Sequence, residues 1–292
     1  MTSYTFFDLL QQHHQLWLTG TTLFSLLVGS FLNVVIVRLP AAMHKEWQQV
    51  CQTILKLEGS EAEASNPALA SIAWPGSHCP NCKTPLKVWH NIPIVSYLLL
   101  RGKCAFCAIK ISPRYPLVEL LTAALGLLIA WLLGPSLATV MSLLLMYILV
   151  ALTFIDLDHK LLPDQLTLPL MWLGLVVNSF GLLTSLQDAF WGAVAGYMSL
   201  WLVYWGFRLA TGKHGMGYGD FKLLAALGAW LGWQTLPIIV LVSTVTGLIV
   251  GLALRMRAVN TDPEMPFGPF LSAAGLVYLL WGEQLWRIFQ PF

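Results

Sequence analysis

The sequence predicts an all-α polytopic membrane protein, with about eight transmembrane helices and a cytoplasmic, cysteine-containing insertion after the first of them. Of the 292 residues, 57% are hydrophobic and only 10% are charged, whereas a soluble domain carries about 25% charged residues. The apolar residues are gathered in runs of membrane-spanning length, and two Cys-x-x-Cys pairs stand in the one long polar stretch. The net charge of +2 is too small to indicate a nucleic-acid partner.

The first predicted span covers residues 16–39, so that residues 1–39 form an N-terminal segment and the first transmembrane helix. No small-residue cleavage site follows this run, which favours a retained helix over a signal peptide. Gly29 and Ser30 offer a small-residue surface to a neighbouring helix, and Asn33 can donate a hydrogen bond across it. We therefore expect Asn33 to have a packing role.

The polar region 40–116 begins with a Gln-, Glu- and Ala-rich part and then contains two matched cysteine pairs. Two Cys-x-x-Cys knuckles, separated here by residues 83–103, are typical of a tetrahedral structural zinc site. The pattern predicts a zinc-ribbon-like loop domain whose metal ligands are Cys79, Cys82, Cys104 and Cys107. Disulfides are the alternative, but a reducing compartment disfavours them. Cys51 is left over as a plain thiol.

The seven remaining spans form the second membrane segment, 117–292. Glu119 lies at the start of its first helix, where a helix N-terminus favours a negative charge. The span at 221–233 is short, and we expect protein rather than lipid to surround it. The predicted spans are 117–133, 137–155, 166–183, 189–210, 221–233, 236–254, and a last one that follows Pro269 and ends near 288.

The basic residues predict the orientation of the spans. All of them except Arg287 lie in or beside the segments that follow the odd-numbered spans, including Arg255 and Arg257 after the seventh. Because basic loops stay in the cytoplasm, both termini should face the periplasm. The cysteine loop and the acidic ends of the spans should then lie on the cytoplasmic side, where thiols stay reduced.

Two acidic stretches lie at the ends of apolar runs, and they are the candidate active site. Asp156 and Asp158 close one run, Asp164 opens the next, and Asp220 follows Gly217-Tyr218-Gly219. Ionisable groups at membrane depth cost about 2.5–3.5 kcal/mol on insertion scales, so function is the default explanation. Two carboxyls that meet in space cannot both ionise easily. One can then activate a water while the other protonates a leaving amine, and the nearby glycines would let an extended substrate approach.

The sequence allows three other interpretations of these acidic residues. They can be solvated helix ends at the membrane surface. Asp-x-Asp with a third aspartate can hold Mg²⁺ for phosphoryl transfer to a lipid, although few basic residues are available for a pyrophosphate. A proton-coupled carrier can use such acids as a relay, although it would place them near mid-span.

The sequence resembles the bifunctional type IV prepilin peptidases over nearly its whole length. The two Cys-x-x-Cys pairs belong to this resemblance. The other matching stretches are Gly29-Ser30-Phe31-Leu32-Asn33-Val34-Val35, Asn91-Ile92-Pro93-Ile94-Val95-Ser96-Tyr97, Arg114-Tyr115-Pro116-Leu117-Val118-Glu119, Ile155-Asp156 with Leu162-Pro163-Asp164, and Gly217-Tyr218-Gly219-Asp220-Phe221-Lys222.

The resemblance implies an inner-membrane aspartic protease of the Gly-x-Gly-Asp type. Such enzymes cleave the basic leader from prepilins and type II secretion pseudopilins after a glycine. They then methylate the new N-terminal residue, usually Phe, with S-adenosylmethionine. The family pattern places the catalytic pair at Asp156 and Asp220, with Asp158 as the nearest competitor, in a protease core over 117–292. No glycine-rich loop in 40–116 locates the S-adenosylmethionine site, and a protease without methyltransferase activity is the alternative.

Overall fold

The computed structural model describes residues 6–55, 76–79, 81–213, 215–256 and 265–289, and these are helical with short connections. The Glu- and Ala-rich segment at 56–75 and Arg257 lie outside them. The described α-helices are α1 (Phe6–Gln12), α2 (His14–Ile54), α3 (Val95–Leu99), α4 (Arg114–Leu133), α5 (Leu137–His159), α6 (Asp164–Ser179), α7 (Leu186–Thr211), α8 (Tyr218–Leu231), α9 (Leu236–Met256) and α10 (Gly268–Phe289).

The chain forms two compact units, one of residues 12–130 and one of residues 1–11 with 131–292. In the first unit α2 and α4 pack closely, because a Cβ at Gly29 would lie 2.9 Å from the Cα of Glu119. Trp17 Nε1 donates to the Ala130 carbonyl at 3.2 Å, and Asn33 Nδ2 donates to the Tyr115 carbonyl at 3.1 Å. The packing role expected for Asn33 is confirmed. This unit contains most of α4 together with α2.

In the second unit, α8 is the central helix. Its residues from Asp220 to Trp230 are all buried except Lys222. Gly192 and Gly196 of α7 let the two backbones approach, since a Cβ at Gly196 would lie 2.6 Å from the Leu224 carbonyl oxygen. The prediction that protein surrounds this short helix is confirmed.

Side chains of α6 hold the far end of α8. Asn178 Nδ2 donates to the carbonyls of Ala229 and Trp230 at 2.9 and 3.0 Å, which would otherwise be unpaired at the helix C-terminus. Trp230 Nε1 donates in return to the Leu170 carbonyl at 2.8 Å. These bonds fix the position of α8 along its axis relative to α6, and therefore also the position of Asp220 at its N-terminal end.

Each predicted span corresponds to a helix, and the all-α class is confirmed. Within the described ranges, four helices are long and apolar enough to cross a membrane: His14–Ile54, Arg114–Leu133, Leu137–His159 and Trp233–Met256. The first helix continues through Pro40 to Ile54, so the start of the polar region 40–116 is helical. The helix predicted to end at 155 continues to His159, where Lys160 adopts the left-handed conformation with φ 54°.

Candidate active site and metal centre

Asp156 lies in the last turn of α5 and is buried. Its Oδ2 accepts a hydrogen bond from the backbone N–H of Gly268, the first residue of α10, at 2.9 Å. The backbone carbonyl of Asp156 accepts the N–H of Lys160 at 2.8 Å as the helix ends. Because the helix continues past the predicted boundary, Asp156 is held by helical geometry and not by a loop.

Asp220 lies in the first turn of α8 and is also buried. Gly217 precedes the helix in an extended conformation, with φ −80° and ψ 146°. The N-terminal position favours a negative charge or a hydrogen-bonding carboxyl at this point of the helix. The carboxyl group therefore has a defined position near the end of the bundle's central helix.

The structure brings the carboxyl groups of Asp156 and Asp220 close enough to interact electrostatically. The side chain of Leu162 packs against Gly219, which precedes Asp220, and against Gly268, whose N–H binds Asp156. A Cβ at Gly219 would lie 2.7 Å from Leu162 Cβ, and a Cβ at Gly268 would lie 3.1 Å from Leu162 Cδ2. The two acidic stretches thus meet in space.

The other two acids of these stretches do not join the pair. Asp158 is exposed, although it lies only two residues after Asp156. Asp164 is exposed at the start of α6 and forms an ion pair with Lys222, Nζ to Oδ1 2.6 Å. Two of the four candidate aspartates therefore form the buried site.

One of the two glycines before Asp220 has a packing role in the structure. Gly217 has backbone angles that any residue adopts, so no bend requires it. Gly219 is required because Leu162 of the same chain occupies the space where its side chain would lie. The close approach seen in the structure is internal packing.

The four predicted zinc ligands form one cluster. Their sulfur atoms all lie within 4.8 Å of one another, and the Sγ atoms of Cys79 and Cys107 are 3.8 Å apart. A tetrahedral zinc site with Zn–S bonds of about 2.3 Å has sulfur–sulfur edges of about 3.8 Å. The cluster therefore fits zinc, and this sulfur pair is far outside the disulfide bond length of about 2.05 Å.

The two knuckles have the same backbone pattern. In each, the N–H of the first cysteine donates to a carbonyl five residues later, and its carbonyl accepts the N–H four residues later. The residue after the second cysteine has a positive φ in both, 57° at Lys83 and 56° at Ala108. Hydrogen bonds from the side chain and backbone of Thr84 lower the pKa of Cys82 to about 6. Because a thiolate is the form that binds metal, this environment suits a ligand.

A buried carboxyl of the first unit has a structural role that can be seen directly. Glu119 Oε2 accepts the N–H of Ile94 at 2.8 Å. Ile94 has φ 58°, which is rare for a β-branched residue. Glu119 thus holds a tight turn of the segment before α3. Because α4 begins at Arg114, Glu119 lies beyond its first turn, and the position predicted for it at a helix N-terminus is wrong.

One residue that contacts the acid pair was missed by the sequence analysis. Gly268 lies far along the chain from both aspartates, in the run Pro266-Phe267-Gly268-Pro269. Pro269 follows this glycine, and a proline at this place in a sequence indicates the start of a helix. The pattern does not indicate which acceptor binds the N–H of Gly268.

An apolar helical bundle with a buried aspartate pair defines an integral membrane protein with an internal acidic site. The pattern of the type IV leader peptidase family matches residues 143–252, and that of the bacterial peptidase A24 N-terminal domain matches residues 23–133. The chain therefore belongs to the type IV leader peptidase family, whose A24 peptidases are aspartic proteases. The resemblance seen in the sequence is confirmed.

Relatives from several bacteria carry the name prepilin leader peptidase/N-methyltransferase. The chain is 52% identical to that of Stutzerimonas stutzeri over 268 residues, which are 91% of each chain. It is 50% identical to that of Pseudomonas aeruginosa over 286 residues, 98% of this chain and 97% of the relative. It is 50% identical to that of Neisseria gonorrhoeae over 262 residues, 90% of each chain. No solved structure matches the chain.

Proposed function

We propose that the chain removes the basic leader from type IV prepilins and type II secretion pseudopilins and then N-methylates the new N-terminal residue. The relatives' shared name supports both activities. The single observation that carries the peptidase is the burial of Asp156 and Asp220 next to each other, at the ends of two helices distant in sequence. The methyl donor is S-adenosylmethionine, because transfer to an amine needs an activated methyl group.

In this proposal Asp156 and Asp220 are the catalytic residues. Two adjacent buried carboxyls share one proton, since the second negative charge is costly in a poorly solvated site. One member then accepts a proton from water, and the other supplies a proton to the amine that leaves. We place the scissile bond after a glycine and before the apolar helix of the substrate.

The alternative of a Mg²⁺-dependent phosphotransferase has less support. Such a site needs three or more oxygen ligands around one ion. Asp158 is exposed and Asp164 is paired with Lys222, so neither converges on Asp156. Among the described residues, the cysteine cluster is the one group of three or more His, Cys, Asp or Glu side chains close enough to hold a metal.

We infer that Cys79, Cys82, Cys104 and Cys107 hold one structural zinc ion in a zinc-ribbon-like loop. The sulfur positions and the repeated knuckle geometry support this role. Four protein ligands complete a tetrahedral zinc shell and leave no position for substrate. The metal would stabilise the loop and take no part in hydrolysis.

We also propose an eight-span arrangement in the bacterial inner membrane, with both termini periplasmic. The eight helices α2 and α4 to α10 support the count, and the distribution of Lys and Arg supports the orientation. The zinc loop and the aspartate pair would then face the cytoplasm. A substrate with a basic cytoplasmic leader and an apolar helix has its scissile bond at that interface.

The test uses purified full-length protein and a synthetic leader-helix peptide, with and without S-adenosylmethionine, read by mass spectrometry. Asp156→Asn and Asp220→Asn should each abolish cleavage and leave methylation of a precleaved peptide intact. Asp158→Asn is the matched control and should retain cleavage, because that side chain is exposed. Full cleavage by the Asp220→Asn protein would end the aspartic-protease proposal. Cleavage without methyl incorporation would leave a protease alone.

A further inference from the structure

Gly268 is the residue through which α10 contacts the acid pair. Its N–H donates to Asp156 Oδ2 at 2.9 Å in a buried position. The next residue, Pro269, has no N–H, and the N–H of Phe270 donates to the Phe267 carbonyl at 3.1 Å. Of the first three residues of α10, it is therefore Gly268 whose N–H is directed at Asp156.

Asp220 also has a backbone donor, since the N–H of Gly217 interacts with its carboxyl. Its own backbone N–H donates to the Gly217 carbonyl at 3.3 Å. Its carboxyl faces the Gly217 backbone, where a Cβ would lie 3.7 Å from Oδ2. What distinguishes Asp156 is the 2.9 Å hydrogen bond from the buried N–H of Gly268. Such a bond favours the negative form of its acceptor.

The residue at 268 also has no room for a side chain. A Cβ there would lie 2.6 Å from Asp156 Oδ2 and 3.2 Å from its Cγ. Contacts below 3 Å require a shift of the neighbouring atoms, and here the neighbour is the carboxylate itself. Alanine at this position would displace either Asp156 or the start of α10.

We propose that Gly268 is a positioning residue that holds Asp156 as the carboxylate, which leaves the shared proton on Asp220. This assignment rests on the proposed peptidase function. Asp156 takes a proton from water as the water oxygen bonds to the scissile carbonyl carbon. When the C–N bond breaks, Asp220 gives its proton to the amine nitrogen. Transfer of one proton from Asp156 to Asp220 then restores the starting state.

The first test compares Gly268→Ala with Gly206→Ala in the full chain. Gly206 is the matched control because a Cβ there meets nothing within 4 Å. We expect kcat for leader cleavage to fall by about 100-fold or more in Gly268→Ala, the size of loss that a displacement of about 1 Å at a catalytic group causes. KM and methylation of a precleaved peptide should stay near the wild-type values. The control should cleave at the wild-type rate.

The second test removes the N–H without adding an atom. A semisynthetic chain carries an ester in place of the amide between Phe267 and Gly268, so its shape is retained even if Gly268→Ala fails to fold. We expect kcat to fall at least tenfold with KM unchanged. A wild-type rate for the ester protein would overturn the role of the donor. If both Asn variants at 156 and 220 also cleaved, the proposed function itself would be the failure.

The third test reads the proton directly. Infrared difference spectra between the wild-type protein and each Asn variant report the C=O stretch of a protonated carboxyl. The band should be lost in Asp220→Asn and retained in Asp156→Asn. The reverse result would assign the proton to Asp156 and overturn this inference, while leaving the aspartate pair as the site of hydrolysis.

Discussion

Lys222 and Asp164 form an ion pair that joins the start of α8 to the first residue of α6, with Nζ 2.6 Å from Oδ1 and 2.8 Å from Oδ2. Lys222 lies two residues after Asp220, and Asp164 lies two residues after Leu162. The bond therefore ties together the two segments that carry Leu162 and Asp220.

We expect this ion pair to make a small contribution. The side chains of Lys222 and Asp164 are 26% and 53% exposed, and pairs in such positions contribute about 0–1 kcal/mol. Asp164→Asn and Lys222→Met should each cleave within about fivefold of wild type, since 1 kcal/mol corresponds to roughly that factor. Initial cleavage rates on the leader-helix peptide check this. A loss as large as that of Asp156→Asn would show that one of the two takes part in the chemistry.

The metal centre predicts about one zinc per chain, because four thiolates complete a tetrahedral shell. Replacing Cys79 and Cys104 with Ser together should remove the zinc and expose the loop around residues 76–112 to protease, since structural zinc contributes its binding energy to folding. Elemental analysis and limited proteolysis measure the two effects. Cys51→Ser is the control, because Cys51 is exposed and outside the cluster. Protein purified under reducing conditions without zinc would contradict the prediction.

The close approach of α7 and α8 predicts a large effect from a small change. A Cβ at Gly192 would collide with the Gly228 carbonyl oxygen. Gly192→Ala should therefore lower stability by about 1–3 kcal/mol, as overpacking does in tightly packed interiors. Thermal unfolding in detergent measures the change, with Gly206→Ala as the glycine that has space around it. Equal unfolding temperatures for the two variants would show that the helices can separate without loss.

The orientation can be checked with a reporter that is active only in the periplasm. Fusions after Arg101 and Thr211 should be silent, because these positions follow odd-numbered spans and lie near basic residues. Fusions after Gly134 and Gln187 should be active. Activity after Arg101 would invert the arrangement and place the cysteine loop in the periplasm.

The sequence by itself was sufficient for the helical membrane class, the cysteine cluster and the list of candidate acids. Each of these follows from composition or from short spacing along the chain. The Cys-x-x-Cys knuckles, for example, form within a few residues through bonds such as Cys79 N–H to the Thr84 carbonyl. Local geometry of this kind repeats wherever the same spacing repeats, so it can be predicted without a fold.

Only the tertiary structure decided which acids meet. Asp156 and Asp158 are two residues apart on one helix, so their side chains point about 200° apart around its axis. The sequence shows that they point in different directions, but packing against α8 and α10 determines that Asp156 is the inward one. The sequence also could not predict which residues contact Gly219 and Gly268, because Leu162 and Asp156 lie far from them along the chain. Contacts of this kind depend on how whole helices assemble, and no local pattern records them.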